Sequence, residues 1–202
     1  MLDVVRRSWP LVLFWAVLGA LVLNSVAFFV PRQYSAVSQV LLIARDRNGV
    51  DPYTQAKSAE RIGENLARVM QTSDFFAKVM ALSGASFDKD VWKNLDERAE
   101  RRKWQRDVKA VVVYNTSLLK ITTHASSKEE AVRLSNTIAQ TLTAHGWEYI
   151  GGDVVLKQVD TPLVSRLPAR PDFVITTLAG LLLGGLLCGV WLTYYKKRSI
   201  FG

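Results

Sequence analysis

Two uncharged, apolar stretches stand at opposite ends of the chain, Leu11–Val30 and Phe173–Tyr195. Each is long enough to cross a hydrocarbon core, which takes about 20 apolar residues in a helix. Inside lipid every backbone N–H and C=O must be satisfied within the element, so each stretch reads as a helix. Whatever lies between them is tethered at both ends. In the first stretch only Asn24 and Ser25 are polar. A competing reading of that stretch is a secretory signal peptide, with Arg6 and Arg7 as the basic start and Ser25-Val26-Ala27 before a cut. The apolar run continues through Phe28, Phe29 and Val30 to spanning length, which favours a retained span.

Charge gives the orientation. The chain carries 26 Lys and Arg against 18 Asp and Glu, a net charge of +8. At the ends that charge is concentrated on Arg6, Arg7, Lys196, Lys197 and Arg198, while in residues 31–172 the two signs nearly balance. Basic flanks stay on the cytoplasmic side. The expected layout is therefore a cytoplasmic segment 1–10, a span 11–30, an extracytoplasmic domain 31–172, a span 173–195 and a cytoplasmic tail 196–202. This describes a two-pass protein of the inner (plasma) membrane. The middle is too weakly basic to point to nucleic acid. The sole cysteine, Cys188, lies in the second span, so the exported part has neither disulfides nor thiol chemistry.

The middle alternates between two periodicities. Tyr34–Ala44 (YSAVSQVLLIA) predicts a strand, and Arg45–Pro52 a turn-rich loop. Ala59, Ile62, Gly63, Leu66, Val69 and Met70 form one helical stripe. Ser73 is the expected cap of a second short helix with Phe75, Phe76, Val79 and Met80 inward, ended by Gly84. The charged segment Asp88–Asp107 has a thin helical stripe of Val91, Leu95 and Ala99. Val108–Tyr114 and Leu118–His124 predict a hairpin. Ser126-Ser127-Lys128-Glu129 opens a long helix as a capping box. Its stripe is Ala131, Leu134, Ile138, Leu142, His145 and Tyr149, and Gly151-Gly152 ends it. Val154–Val159 is a last strand. The order β-α-β-β-α-β predicts an α+β, ferredoxin-like domain, an antiparallel sheet with helices on one face.

Two further features surround the second span. Pro162, Pro168 and Pro171 lie in the approach 161–172; proline fixes φ and extends the residue before it, so this reads as a stiff connector. The alternative is a simple helix stop. Within the span, Gly180 with Gly184 and Gly185 with Gly189 form two G-x-x-x-G motifs, which let a second helix approach closely.

Candidates for chemistry are few. Arg101, Arg102, Lys103 and Arg106, with Trp104, form a cluster able to contact an anionic polymer or lipid headgroup; the alternative is a solvated helix face. His124 and His145 lack metal-ligand spacing, and Asp88 and Asp90 are neighbours in a charged segment. No G-x-S-x-G, H-E-x-x-H or G-x-x-x-x-G-K-[ST] occurs. The residues point to no enzyme, no cofactor and no metal.

Several pieces together resemble the polysaccharide co-polymerases, the chain-length determinant (Wzz-like) family that includes short capsular biosynthesis membrane proteins. They are Tyr34-Ser35-Ala36 after the first span, Leu118-Leu119-Lys120-Ile121-Thr122, Ala125-Ser126-Ser127-Lys128-Glu129-Glu130-Ala131, then Leu134, Asn136 and Ile138-Ala139, the strand ending at Asp160, and the proline approach. The family pattern A-x-x-P-x-x-P-x-x-P is met here by Ser165-x-x-Pro168-x-x-Pro171, with Pro162 out of register. Larger members insert a long helical arm where this chain has only Ser86–Asp107, and the tyrosine autokinase domain of some relatives has no counterpart. The resemblance implies a homo-oligomeric ring working with a polysaccharide polymerase or export machinery, and in some systems with a separate cytoplasmic tyrosine kinase. It implies a scaffold that sets the length of a surface glycan or exopolysaccharide, or assists its export. The competing expectation is an extracytoplasmic sensor or adaptor acting on a separate cytoplasmic kinase. An anchored enzyme is a third.

Overall fold

A computed structural model describes residues 9–44, 51–83, 87–150 and 154–200. The chain divides into two compact units, one of Met1–Arg32 with Pro168–Gly202 and one of Gln33–Leu167. The sequence features placed on Arg6, Arg7, Arg45–Val50, Gly84 to Ser86 and Gly151-Gly152 lie outside the described residues, as do the side chains of Lys196, Lys197 and Arg198.

The first unit is a pair of helices, α1 (Trp9–Phe28) and the terminal helix Phe173–Ile200. Both are long and apolar enough to cross a membrane, over 20 and 22 residues respectively. The terminal helix continues past the apolar stretch through the basic triplet. Its start is fixed by Asp172, whose Oδ1 accepts from the N–H groups of Val174 at 3.0 Å and Ile175 at 3.2 Å. This is an N-cap, and it satisfies donors that the first turn otherwise leaves orphaned.

The second unit is a mixed α+β domain built on one antiparallel sheet. After β1 (Tyr34–Ala44) come α2 (Pro52–Val69), α3 (Ser73–Ala81), α4 (Asp90–Lys93) and α5 (Glu97–Asp107). Then follow β2 (Val108–Val112), β3 (Leu118–Ala125), α6 (Lys128–His145), α7 (Trp147–Ile150), β4 (Val154–Gln158) and β5 (Leu163–Val164); the terminal helix is α8. The sheet order is β2-β3-β1-β4, and β5 also pairs with β1. Ala36, Ser38, Val40 and Leu42 of β1 are fully or almost fully buried and alternate with half-buried neighbours, the period of a strand covered on one face. α2 and α6 pack on that face. Leu66 and Met70, Leu119 and Ile121, and Ile138 and Leu142 fill the layer between sheet and helices. Two hydroxyls inside this layer satisfy each other, Ser135 Oγ donating to Ser38 Oγ at 2.9 Å. That agrees with the rule that buried polar groups are paired.

Several expectations are corrected. The cap of α3 is Thr72, not Ser73; its hydroxyl accepts from Phe75 N. The cap of α6 is Ser127, accepting from Glu130 N. The carboxylate of Glu130 does not reach back to its cap but accepts from the N–H of Asp88 at 2.9 Å. The long helix ends at His145 rather than near Gly151. Gly146 is its C-cap, its N–H donating to the Leu142 carbonyl, and the site takes a glycine because a Cβ there would stand 2.2 Å from Leu156 Cδ1 and 2.4 Å from that carbonyl oxygen. The segment Asp88–Asp107 is two helices; Leu95 packs against the core as expected, but the most deeply buried apolar residues are Trp92 and Trp104, and Val91 is 51% exposed. The proline approach is not wholly a connector. Leu163 pairs with Val37 and Val164 with Ala36, and Ser165 N donates to Ser35 O at 2.8 Å. Pro162 thus precedes a short strand of the domain. Only Pro168 and Pro171 lie between the domain and α8, and the Arg170–Pro171 peptide bond is cis.

Candidate functional site

The sequence candidates on the charged segment do not form one surface. α5 begins with Glu97 and Glu100 in its first turn, so acids sit where the helix dipole favours them. From there the side chains diverge. Arg101 reaches back to α3, donating through Nη2 to Ser73 Oγ at 2.7 Å. Arg102 is exposed, with Nε donating to Arg98 O at 3.3 Å. Trp104 is 1% exposed, and its indole N–H donates to Met70 O at 2.7 Å. It stacks edge-on against Phe76 and Trp92 at centroid distances of 5.1 and 5.8 Å. Trp104 therefore belongs to the core and is withdrawn from any ligand-contacting cluster. A buried indole usually finds an acceptor for its N–H, and here the carbonyl of Met70, the buried C-cap of α2, supplies it.

Lys103 and Arg106 turn toward Asp107. That carboxylate is almost fully buried and receives Lys103 Nζ at 3.1 Å on one oxygen and Arg106 Nε at 3.1 Å on the other. A buried carboxylate needs such partners, since its desolvation costs several kcal/mol by order of magnitude. The Lys103 ammonium also sits 4.7 Å from the centre of the Trp92 ring.

Lys103, Asp107 and Trp92 line a pocket of about 130 Å³. Gln33, just before β1, lines it, as do Phe87, Asp88, Val91 and Trp92 from the α4 region, Lys103 and Asp107 from α5, His124 and Ala125 at the end of β3 with Ser126 after it, and Glu130 and Leu134 of α6. His124 Nδ1 lies 3.4 Å from the Asp107 carbonyl oxygen. Asp88 Oδ1 accepts from Asp90 N at 2.9 Å, an Asx turn that opens α4. The pocket thus brings together His124, Asp88 and Lys103, three residues singled out from separate parts of the sequence. Asp90 is not in its lining, and His145 is elsewhere. His145 Nδ1 pairs with Glu148 Oε1 at 2.7 Å.

Glu148 belongs to a second charged cluster, with Lys78, Asp74 and Tyr149. The Lys78 ammonium is hydrogen-bonded to Glu148 and lies over the Tyr149 ring at 4.5 Å. Its hydrogen bonds to Glu148 and Tyr149 raise its pKa above the usual lysine value. Hydrogen bonds from Lys78 and His145 lower that of Glu148. Burial first, then its hydrogen bond to Asp74, raises that of Tyr149. The cluster ties α3 to α7.

In the helix pair the glycines divide by face. A Cβ on Gly184 would stand 2.2 Å from the Trp15 carbonyl oxygen and 2.9 Å from Ala16 Cα; one on Gly180 would stand 2.5 Å from Ala20 Cα. Both face α1 at backbone contact, opposite Gly19 and Ala20. Gly185 meets only a Val12 side chain at 3.9 Å, and Gly189 meets nothing within 4 Å. Only the first G-x-x-x-G motif is used between the two helices. Asn24, one of the two polar residues in the first stretch, donates to Thr177 Oγ1 at 2.9 Å and accepts from Thr176 Oγ1 at 3.2 Å. Cys188 is buried against the Trp15 side of α1, in an apolar groove it shares with Trp191 and Tyr194.

Among the described residues no group of His, Cys, Asp and Glu is arranged to hold a metal ion. Compared with models of known protein families and with curated proteins, the chain matches none.

Proposed function

We propose that this chain is a non-enzymatic membrane scaffold in surface or exopolysaccharide biosynthesis, of the co-polymerase type. On this reading both termini are cytoplasmic and the α+β domain is extracytoplasmic and ferredoxin-like. Copies assemble as a ring beside a polymerase or export machinery in the inner (plasma) membrane. The observation that carries the reading is the way the domain is mounted. Its first strand follows α1 within a few residues, and its last strand, β5, is separated from α8 only by a proline-containing segment. The order β2-β3-β1-β4, with a helix-containing crossover before β2 and another after β3, supports the ferredoxin-like assignment. A small domain on two paired legs suits a part that positions others.

A second reading, a ligand sensor acting on a separate cytoplasmic kinase, draws on the pocket beneath Val91. Deleting the gene separates the two. A scaffold predicts a changed glycan length distribution on gels in every growth condition. A glycan pattern identical to that of the parent strain refutes it, and a change confined to one inducing condition favours the sensor.

A further inference from the structure

The pocket between α4, α5 and the start of α6 has a graded lining. Phe87, Trp92 and Leu134 are each at most 6% exposed and form an apolar floor. Asp88 and Ser126 are exposed at the mouth, with the Lys103 ammonium beside them. Three contacts hold this arrangement from different directions. Asp88 N donates to Glu130, Asp88 Oδ1 holds the Asx turn that leads into α4, and Lys103 is anchored on Asp107. The groups left to face a ligand are the second Asp88 oxygen, the Ser126 hydroxyl and the remaining Lys103 N–H donors.

We propose that this pocket binds one neutral sugar ring. A sugar ring presents C–H groups on its faces and hydroxyls around its edge. It needs an apolar floor and a rim that both donates and accepts, and this pocket supplies both within a few ångströms. The volume of about 130 Å³ suits a single ring rather than a chain or a drug-sized ligand, whose sites run to about 300–1,000 Å³. Charge selects among sugars. Asp107 is matched by Lys103 and Arg106, and Glu130 by Arg133, so the like charge that a uronic acid or phosphorylated sugar meets at the mouth is that of Asp88. The fixed Lys103 ammonium disfavours protonated amino sugars. A neutral ring leaves every one of these charges with the partner it already has. The chemistry is read from the pocket alone; that the ring belongs to a surface glycan rests on the function proposed above.

The test uses the full chain in lipid nanodiscs free of sugar-headed detergent. Binding is followed by ligand-detected NMR titration with glucose, galactose, mannose, rhamnose, N-acetylglucosamine, glucuronate and glucosamine. Saturable binding by at least one neutral sugar is expected, with glucuronate and glucosamine weaker. Val91→Arg, at an exposed lining position, should abolish binding without lowering the melting temperature. Asp88→Asn keeps an acceptor for the Asx turn before α4 and should weaken binding about tenfold by removing a charge-assisted hydrogen bond. No saturable binding by any neutral sugar, preference for glucuronate or glucosamine, or binding unchanged in both variants overturns the assignment. The titration reads the pocket and the deletion strain reads glycan length, so either reading can fail while the other stands.

Discussion

The side-chain amide of Asn24 donates to the hydroxyl of Thr177 across the helix pair at 2.9 Å, and the same amide donates to the carbonyl of Ala20 one turn back. Polar bridges between apolar helices are worth about 0.6 kcal/mol on average. Asn24→Leu removes the bridge and raises apolarity, so the pair should loosen only slightly. Titration of the purified chain into a denaturing detergent should show a loss of under about 1–2 kcal/mol. A loss well above that would mean Asn24 holds more than these two threonines.

The glycines should behave unequally. Gly184→Leu drives a side chain into the backbone of Trp15 and Ala16, so α1 and α8 must separate. Gly189→Leu enters open space. Excimer formation between pyrenes placed at introduced cysteines on facing turns, in a Cys188→Ala background, should fall sharply in the first variant and be unchanged in the second. Equal effects would put the contact face in the wrong place.

Trp104 and Arg102 sit two residues apart and should differ in kind. Trp104→Ala empties a core site and leaves the Met70 carbonyl without its donor, a loss of about 3–5 kcal/mol. Arg102→Ala, on an exposed side chain, should stay within about ±0.5 kcal/mol. Thermal unfolding followed by circular dichroism distinguishes them. A mild Trp104→Ala phenotype would contradict the packing of the three-ring cluster.

The Lys78–Glu148–Tyr149 cluster sets a pH window. The Glu148 pKa is held below its usual value of 4.5, so its contribution is present above 4.5 and is lost as pH falls through the lowered value. The Lys78 pKa is raised above 10.5, so its contribution is present below 10.5 and is lost as pH rises through the raised value. Tyr149, raised above 10.0, also weakens the fold on the alkaline side. The melting temperature should therefore show a plateau from this cluster between those limits, and Lys78→Met should flatten the acid shoulder. An unaltered shoulder in that variant would remove Glu148–Lys78 as its source. The pairs are partly exposed, so high salt should shrink the difference.

Periodic elements were readable from residues alone. The alternation in Tyr34–Ala44 and the stripe from Ala59 to Met70 identify their elements because local pattern and burial agree there. The stripe from Ala131 to Leu142 does the same. Trp92 and Trp104 were missed because their segment is charged on every side. Their burial depends on Phe76 of a different helix, which no local window contains. The break at Gly146 had a signal, a glycine directly after a histidine in a last turn, but Tyr149 continued the stripe and masked it. β5 is two residues long and becomes a strand only because β1 offers an open edge. The pocket draws on five separate stretches, so its residues were visible singly and their convergence was not.

That two-residue strand has a mechanical consequence. β1 begins and β5 ends at the same end of their ladder, with Ser35 and Ser165 exchanging two hydrogen bonds, one between backbones at 2.8 Å and one through the Ser165 hydroxyl at 3.2 Å. A pull applied through the chain on either side of the domain therefore loads this ladder as a zipper, one bond after another, rather than in shear along its length. The Ser35–Ser165 bonds take the first load, then the Ala36–Val164 and Val37–Leu163 pairs, and only afterwards the longer β1–β4 ladder. Extension at low force is thus confined to a short clasp, and the hydrophobic layer behind Val40 and Leu42 stays closed until the clasp has opened.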